Sequence, residues 1–319
     1  MDTVRVGLIG AGWVAGQHLD VISAAPGIEA CGITSRTRLR AEELAAANGN
    51  VPVFDTVAEM VQTARPDALM VLVSEESMHQ VTAEAIGYGL PLFVEKPAGL
   101  TPAENADLAK RAKDAGIPTM VGFNRRFYSV MQRGLEIVLE HGPLLGVMVE
   151  GHERFWKIEP VDKWNEHVKD EWIYANSVHT IDLLRFFGGE VSDVKSLAHS
   201  FKRRTGDQFA AVMELESGAI GQYSAHWWSP GGWRAVLYGD GVTVEFKPLE
   251  SARWTDRAFD VHDIEPADYD VAHKPGFYGQ LEAFARFVRT GVLEAPAQDL
   301  EGALRTMRLA EAIVRRGDE

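Results

Sequence analysis

The chain of 319 residues is 46% hydrophobic and 24% charged and has a formal net charge of −14. That composition is typical of an ordinary globular protein and excludes a disordered or fibrous one. The negative charge would repel a phosphate backbone, so no nucleic-acid partner is expected. The length predicts about two domains.

Features that would place the chain in or across a membrane are missing from the sequence. No apolar run reaches the roughly 18 residues that a membrane span needs, and no basic leader precedes the first strand-like run. We therefore expect a cytoplasmic location and no membrane partner. The single cysteine, Cys31, cannot form an internal disulfide and is expected to be a small buried residue within a strand.

Residues 1–123 alternate short apolar runs with amphipathic helical stretches, a pattern typical of βαβ units and a parallel sheet. Helices are expected over 38–49 and from Pro102, which suits a first helical turn. Sheets of this kind bind ligands beyond the carboxyl ends of their strands. The predicted strands are 4–9, 30–34, 51–54, 68–73, 92–95 and 119–123.

From about Leu144 the pattern changes to alternating strands separated by turns, which indicates a largely antiparallel sheet. Strands are predicted over 210–216, 219–228, 234–240 and 242–246, and helices over 175–187, 280–290 and 299–315. The sequence thus predicts an α/β, doubly wound parallel-sheet domain over 1–123. A mostly antiparallel α+β domain follows over 124–319, whose closing helices can pack back on the first domain.

The stretch GLIGAGWVAGQH follows the first predicted strand and opens a helix. Gly10, Gly12 and Ala15 are small enough for a sharp turn that lets the backbone approach a pyrophosphate, which sits on free amides at the helix start. We therefore expect Gly10, Gly12, Trp13, Val14 and Ala15 to contact a dinucleotide. A tight turn without a ligand is the alternative, and Trp13 could equally cover the sheet edge.

The second predicted strand ends in ITSRTRLR, without the carboxylate that binds the adenosine ribose of NAD. Ser35 can bind a phosphate oxygen, while Arg36 and Arg40 offer positive charge to a 2′-phosphate. The cofactor expected is therefore NADP, with NAD still possible. A solvated basic helix start is the alternative.

The stretch LFVEKP places Glu95 and Lys96 directly after the fifth predicted strand. Lys96 then emerges at the carboxyl edge of the sheet, which also holds the glycine turn, and its ammonium can share a proton with a substrate hydroxyl. A cis peptide bond before Pro97 fits this turn. The alternative is a surface ion pair between Glu95 and Lys96, which would contribute little.

Four motifs in order resemble the Gfo/Idh/MocA family of glucose-fructose and inositol-type oxidoreductases. They are GxGxxA at 10–15, EKP at 95–97, GFNRRF at 122–127 and HTIDLLRFFGG at 179–189. The resemblance implies a Rossmann domain and a second domain that binds substrate and often mediates oligomerisation, here a homodimer or homotetramer. It also implies oxidation or reduction of a sugar, polyol or related hydroxy compound, with the EKP lysine contacting the substrate hydroxyl and the nicotinamide ribose.

His179 is the second predicted catalytic residue, because imidazole titrates near neutral pH and can remove a hydroxyl proton. Asn176 and Asp182 lie three residues to either side, near one helix face, where Asp182 could orient the ring or bind substrate and Asn176 could donate a hydrogen bond. A purely structural histidine is the alternative. No metal is expected, and the acids and histidine at 162–170 indicate a solvated loop.

Two positions depart from the family pattern. Ala175 stands where many members have an aspartate, so a catalytically silent NAD(P)-binding sensor is kept as the alternative function. Ser74 to Glu76 replace the usual TPN before the helix that holds His79, and Ser74 and His79 are candidate cofactor contacts. Asn124 and Arg125 could touch cofactor or tie the domains together. The remaining pocket candidates are Arg154, Trp156, Trp164, Trp172 and Tyr278.

Overall fold

The computed structural model describes residues 3–314, so Arg315, the predicted end of the last helix, lies outside the described residues. The strands are β1 Val4–Ile9, β2 Ile28–Thr34, β3 Val53–Phe54, β4 Ala68–Val71, β5 Leu92–Val94, β6 Thr119–Val121, β7 Leu144–Gly151, β8 Val191–His199, β9 Gln208–Leu215, β10 Ile220–His226, β11 Trp233–Gly239, β12 Val242–Phe246, β13 Ala252–Thr255 and β14 Val261–Ile264.

The helices follow the same chain order. They are α1 Trp13–Ala24, α2 Arg38–Ala47, α3 Val57–Ala64, α4 Met78–Ile86, α5 Pro102–Ala115, α6 Ser129–His141, α7 Phe155–Ile158, α8 Glu166–Asp170, α9 Val178–Gly188, α10 Asp268–Ala272, α11 Phe277–Thr290 and α12 Leu300–Val314. Two 3-10 turns, Glu75–Ser77 and Asn124–Phe127, and a π-helical turn, Ile173–Ser177, complete the set. No helix in this part of the chain combines the length and hydropathy needed to cross a bilayer.

The chain divides into two compact units. The first runs to Asn124 and includes Tyr269–Leu304, and the second holds Arg125–Asp268 and the chain from Arg305 onward. The predicted boundary after residue 123 differs from this division, because α11 and the start of α12 group with the first unit. The prediction numbered these helices with the second domain and allowed them to pack back on the first.

The first unit is built on a six-stranded sheet in the order β3-β2-β1-β4-β5-β6. Every neighbouring pair is parallel, which is the doubly wound arrangement predicted from the alternation of strands and helices. The four residues of β4 are fully buried, as expected for a strand covered on both faces. Cys31 lies buried in β2, as predicted, and burial raises the pKa of its thiol.

The second unit is built on an eight-stranded sheet in the order β14-β13-β12-β11-β7-β10-β9-β8. Neighbours are antiparallel except β7 and β10, so the prediction of a mostly antiparallel sheet is confirmed. Helix α9 covers β7, and α6 covers β11 and β12. The close approach of α6 depends on Gly134, where a Cβ would collide with the Phe246 ring.

Candidate active site

The turn after β1 has the geometry of an anion-binding helix start. Gly10 has φ +120°, and a Cβ there would collide with the Leu72 carbonyl, so the turn requires glycine. Gly12 precedes α1, and apart from its own chain neighbours no described residue comes within 4 Å of the place where its Cβ would be. No side chain within residues 3–314 caps α1, so its first amides are offered to a ligand.

The side chains on this turn differ in exposure. Ala15 is buried, Val14 is half-buried, and Trp13 is 64% exposed, with the Lys274 ammonium 5.4 Å from the centre of its ring. The open space beside Gly12 and the exposed indole next to it fit a dinucleotide lying across the turn.

The carboxyl end of β2 presents exposed arginines at the position predicted for the adenosine ribose. Arg38 forms salt bridges with Glu42 and Asp55. Arg36 and Arg40 are exposed and form no salt bridge with any carboxylate in residues 3–314. Ser35 is half-buried, and its hydroxyl accepts a hydrogen bond from the Thr37 amide at 3.4 Å. Two guanidinium groups therefore remain available to an anion at this end of the sheet.

Glu95 and Lys96 follow β5 and differ in burial. Glu95 is 7% exposed, and its Oε2 lies 3.7 Å from Nε2 of the fully buried His18. A Cβ on Gly122 would collide with this oxygen. The geometry argues against the predicted contact of Glu95 with cofactor, because its carboxylate faces the interior of the unit.

Lys96 is half-buried, and the peptide bond that joins it to Pro97 is cis, as predicted. Lys96 lies two residues beyond the end of β5, at the carboxyl edge of the sheet. Strand β5 lies two strand spacings from β1, which places Lys96 roughly 10 Å along the sheet edge from the glycine turn.

Two further cofactor candidates, Ser74 and His79, lie beyond β4. Ser74 is exposed, and its hydroxyl lies 3.3 Å from that of Ser77. His79 Nε2 lies 2.8 Å from Asp107 Oδ2, and hydrogen bonds from Arg111 and His79 lower the pKa of that aspartate. The imidazole is thus tied to α5, and its contact with cofactor stays a prediction.

In the second unit, His179 shares an aromatic neighbour with Arg125. His179 is 5% exposed, and its ring centre lies 6.0 Å from that of Trp233. The Arg125 guanidinium lies over the same indole, 4.5 Å from the ring centre. Trp233, at the start of β11, was not predicted as a site residue; the only signal was the abundance of tryptophan after residue 150.

Sequence reasoning also missed Glu153, which follows β7. Its Oε2 accepts hydrogen bonds from Trp172 Nε1 at 3.1 Å and Asn176 Nδ2 at 2.8 Å, and its Oε1 accepts one from Ser177 Oγ at 2.6 Å. Burial raises the pKa of Glu153 despite these hydrogen bonds. Trp164 packs edge-on against Trp172 at 4.9 Å, so three predicted pocket residues lie in or beside this cluster.

Asp182 forms a buried ion pair, which argues against its predicted role as a substrate ligand. Arg126 Nε donates to Oδ2 at 2.6 Å and Nη2 to Oδ1 at 2.8 Å, while Thr306 Oγ1 donates to Oδ1 at 2.7 Å. Burial alone would raise the pKa of Asp182, but the charge and hydrogen bonds of Arg126 outweigh it and the pKa is lowered. Because Asp182 follows His179 by three residues, the sequence suggested that the two side chains share a helix face. In the structure the side chain of Asp182 pairs with Arg126 instead.

The remaining candidates fall in different places. Arg154 has φ +55° before α7, and both it and Trp156 are exposed. Tyr278 belongs to the first unit, where its ring stacks on Tyr269 at 5.2 Å. Asn124 also belongs to that unit, and its Nδ2 donates to the Pro275 carbonyl at 3.0 Å. No group of three or more potential metal ligands occurs within residues 3–314.

Both units match models of one protein family. Residues 4–123 match the Gfo/Idh/MocA oxidoreductase family with an NAD-binding Rossmann fold, and residues 145–245 match the Gfo/Idh/MocA C-terminal domain. The chain therefore belongs to the Gfo/Idh/MocA family, as its four motifs predicted.

Individual proteins are similar over nearly the whole chain. A scyllo-inositol 2-dehydrogenase (NAD(+)) of Bacillus subtilis (strain 168) is 25% identical, covering 90% of this chain and 87% of its own. D-xylose 1-dehydrogenase (NADP(+)) 2 of Haloferax volcanii is 25% identical, covering 89% and 88%. The structure of an oxidoreductase from Agrobacterium radiobacter in complex with NAD+, L-tartaric acid and magnesium aligns with a TM-score of 0.78 at 17% identity, covering 97% and 94%.

The family and the fold together define the class of enzyme. The chain is an oxidoreductase with an NAD-binding Rossmann domain that acts on CH–OH groups, and this part of the prediction is confirmed.

Proposed function

We propose that the protein moves a hydride between nicotinamide and a secondary alcohol, or its ketone, on a sugar, polyol or related hydroxy compound. The observation that carries this proposal is the position of Lys96, half-buried at the sheet edge that also holds the glycine turn. The similar proteins that act on scyllo-inositol and D-xylose support the substrate class.

The dinucleotide, when bound, accepts or donates the hydride at its nicotinamide ring. The backbone from Gly10 to Ala15 would hold the pyrophosphate, because Gly12 leaves open space and the first amides of α1 carry no side-chain cap within the described chain. Ser35, Arg36 and Arg40 would hold a 2′-phosphate, which favours NADP over NAD.

Lys96 and His179 are proposed as the residues that handle the proton of the reacting hydroxyl. Lys96 Nζ would hold the substrate oxygen and share its proton, since an ammonium is a compact hydrogen-bond donor. The His179 imidazole would take that proton in oxidation and return it in reduction. Arg125 and Trp233 would keep the imidazole in place and limit its access to water.

The experiment is a substrate panel with purified protein. Absorbance at 340 nm is followed with NADP+ or NAD+ and a panel of inositols and sugars, and with NADPH or NADH and keto-sugars. Turnover with at least one compound, and none with alcohols that carry a single hydroxyl, is expected. Cofactor binding without turnover on any compound would instead support the silent sensor, the function that Ala175 favours.

The oligomer is also a proposal, and its support lies in the outer face of the eight-stranded sheet. The strands of this sheet carry six exposed apolar side chains, which are Leu145, Leu197, Val212, Ile220, Tyr238 and Val261. A second copy of this chain is the partner we propose for this sheet, because burying these side chains would remove their apolar area from water. Sedimentation of the wild type and of an I220K/V212E variant tests this, and a monomeric wild type would contradict it. The cytoplasmic location stays a prediction.

A further inference from the structure

Glu153 is a buried carboxylate whose donors all come from residues 172–177, immediately before the helix that carries His179. Its side chain sits two residues beyond β7 and is 8% exposed. Trp172 and Asn176 share Oε2, and Ser177 takes Oε1. The carboxylate therefore fastens this stretch of chain to the sheet by hydrogen bonds from three side chains.

The π-helical turn Ile173–Ser177 explains how three side chains reach one carboxylate. In an α-helix, residues four apart share a face, which would align Trp172 with Asn176 alone. A π-turn widens the helix and brings residues five apart nearly into line, so Ser177 joins them. The π-turn and the Glu153 carboxylate thus form one hydrogen-bonded cluster. Turns of this kind are frequent at functional sites.

The hydrogen bond to Glu153 fixes the orientation of the Asn176 side-chain amide. A carboxylamide has one donor nitrogen and one acceptor oxygen. Because Nδ2 donates to Glu153 at 2.8 Å, the acceptor Oδ1 is turned away from the carboxylate. Asn176 is half-buried, and it precedes His179 by three residues, about one helical turn. The sequence had suggested Asn176 as a donor to substrate, and this geometry makes it an acceptor.

We propose that Glu153 is a positioning residue that holds Asn176 so that its Oδ1 accepts a hydrogen bond from a second hydroxyl of the substrate. This inference rests on the proposed function and deepens it, because it restricts the substrate to compounds with a further hydroxyl beyond the one oxidised. The role of Glu153 is to accept hydrogen bonds, and its charge takes no part in the proton transfer.

The test is a set of variants assayed with scyllo-inositol and D-xylose, for KM and kcat and for Kd in the presence of NADPH, where no alcohol oxidation can occur. E153L frees the amide and should raise KM and Kd about tenfold, the loss of roughly one hydrogen bond, with kcat little changed. N176L should do the same, and E153L/N176L should be no worse than N176L, because the two residues act in series.

The control variants distinguish the hydrogen bonds that Glu153 accepts from its negative charge. E153Q keeps an acceptor for Trp172 and Asn176 and can donate to Ser177 Oγ, so its KM should stay within about twofold of wild type and its pH profile unchanged. S177A should behave likewise. A loss in E153Q equal to that in E153L, multiplicative losses in the double variant, or no change in E153L would each overturn the proposal.

Two further measurements keep the test decisive. If E153L does not fold, N176D replaces it: an aspartate keeps an acceptor but cannot donate to Glu153, and unchanged substrate binding would overturn the inference. The side-chain amide signal of Asn176 in an ¹⁵N spectrum, assigned by its loss in N176L, should shift in E153L and persist in E153Q. That signal reports the positioning even if wild type turns over no sugar or polyol, an outcome that would contradict the proposed function alone.

Discussion

The carboxylate of Glu95 lies 3.7 Å from the imidazole of His18, with the ring of Phe93 at 5.1 Å and that of Phe277 at 4.8 Å from the imidazole. Glu95 directly precedes Lys96 in the chain, so this buried contact anchors the backbone from which the proposed catalytic amine extends. At 3.7 Å the two groups are too far apart for a hydrogen bond. Neither ring nitrogen of His18 nor Oε2 of Glu95 has a hydrogen-bond partner within residues 3–314, so each is the polar neighbour of the other.

Replacing His18 with leucine should destabilise the protein by about 1–3 kcal/mol, because a buried carboxylate would lose its polar neighbour. Urea unfolding measures this free energy. H273L is the matched control, since it removes a histidine paired with an exposed aspartate, Asp20, at 2.7 Å. That pair should contribute less than about 1 kcal/mol. Equal losses in the two variants would contradict the anchoring role of His18.

The buried pair of Arg126 and Asp182 predicts a pH-dependent stability. D182N should lower the free energy of unfolding at neutral pH by about 3–5 kcal/mol, because Arg126 would be left buried with no opposite charge from Asp182. The folded-state pKa of Asp182 is lowered, so its contribution is present above the ordinary aspartate pKa and is lost as the pH falls through the folded value. Wild type and D182N should therefore converge on acidification.

Activity provides the second readout of Asp182. If the residue is structural, the D182N protein that remains folded should keep the KM of the wild type. A large rise in KM without loss of stability would restore the role of substrate ligand. D114N, which breaks an exposed pair with Lys110, is the control and should change the unfolding free energy by less than about 1 kcal/mol.

The raised pKa of Glu153 predicts that its contribution to the free energy of unfolding has the opposite pH dependence. Its pKa is raised by burial, so the folded state favours the protonated carboxyl, and stability declines as the pH rises above the ordinary glutamate value toward the folded value. E153Q removes this titration. The unfolding free energies of wild type and E153Q are measured from pH 4 to 8. As the pH rises, wild type should lose stability relative to E153Q. A difference that stays constant across this range would contradict the raised pKa.

The exposed arginines predict cofactor preference. R36A/R40A should weaken NADPH binding about tenfold or more and leave NADH binding within about twofold, because only NADPH carries the 2′-phosphate. Titration of cofactor fluorescence measures both constants. R38A is the matched control, since Arg38 is already paired with Glu42 and Asp55. Equal weakening of NADH and NADPH would indicate that these arginines do not read the 2′-phosphate.

Local patterns predicted the parts of this protein that depend on neighbours in sequence. The glycine turn, the bounds of β1 and the strand that precedes Lys96 follow from strand and helix periodicity, and the structure has these elements where they were expected. The strands β7, β8, β13 and β14 were missed. In β8 most residues are exposed or half-buried, so no alternation of buried and polar residues marks it.

The unpredicted parts of the site depend on pairs far apart in sequence. Glu153 meets Asn176 and Ser177 across more than twenty residues, and Arg126 meets Asp182 across 56. Nothing in the spacing of these residues marks such tertiary contacts. The π-turn was likewise invisible, because its residues continue an apparently ordinary helical pattern into α9.

The turnover of K96M on a substrate found in the panel tests the proposed mechanism most directly. Methionine keeps the length and apolar stem of lysine but removes the amine. We predict that kcat falls by about a hundredfold or more, the contribution typical of a positioned proton-transfer group, while NADPH binding stays within about threefold of wild type. A K96M protein with the kcat of the wild type would contradict the mechanism.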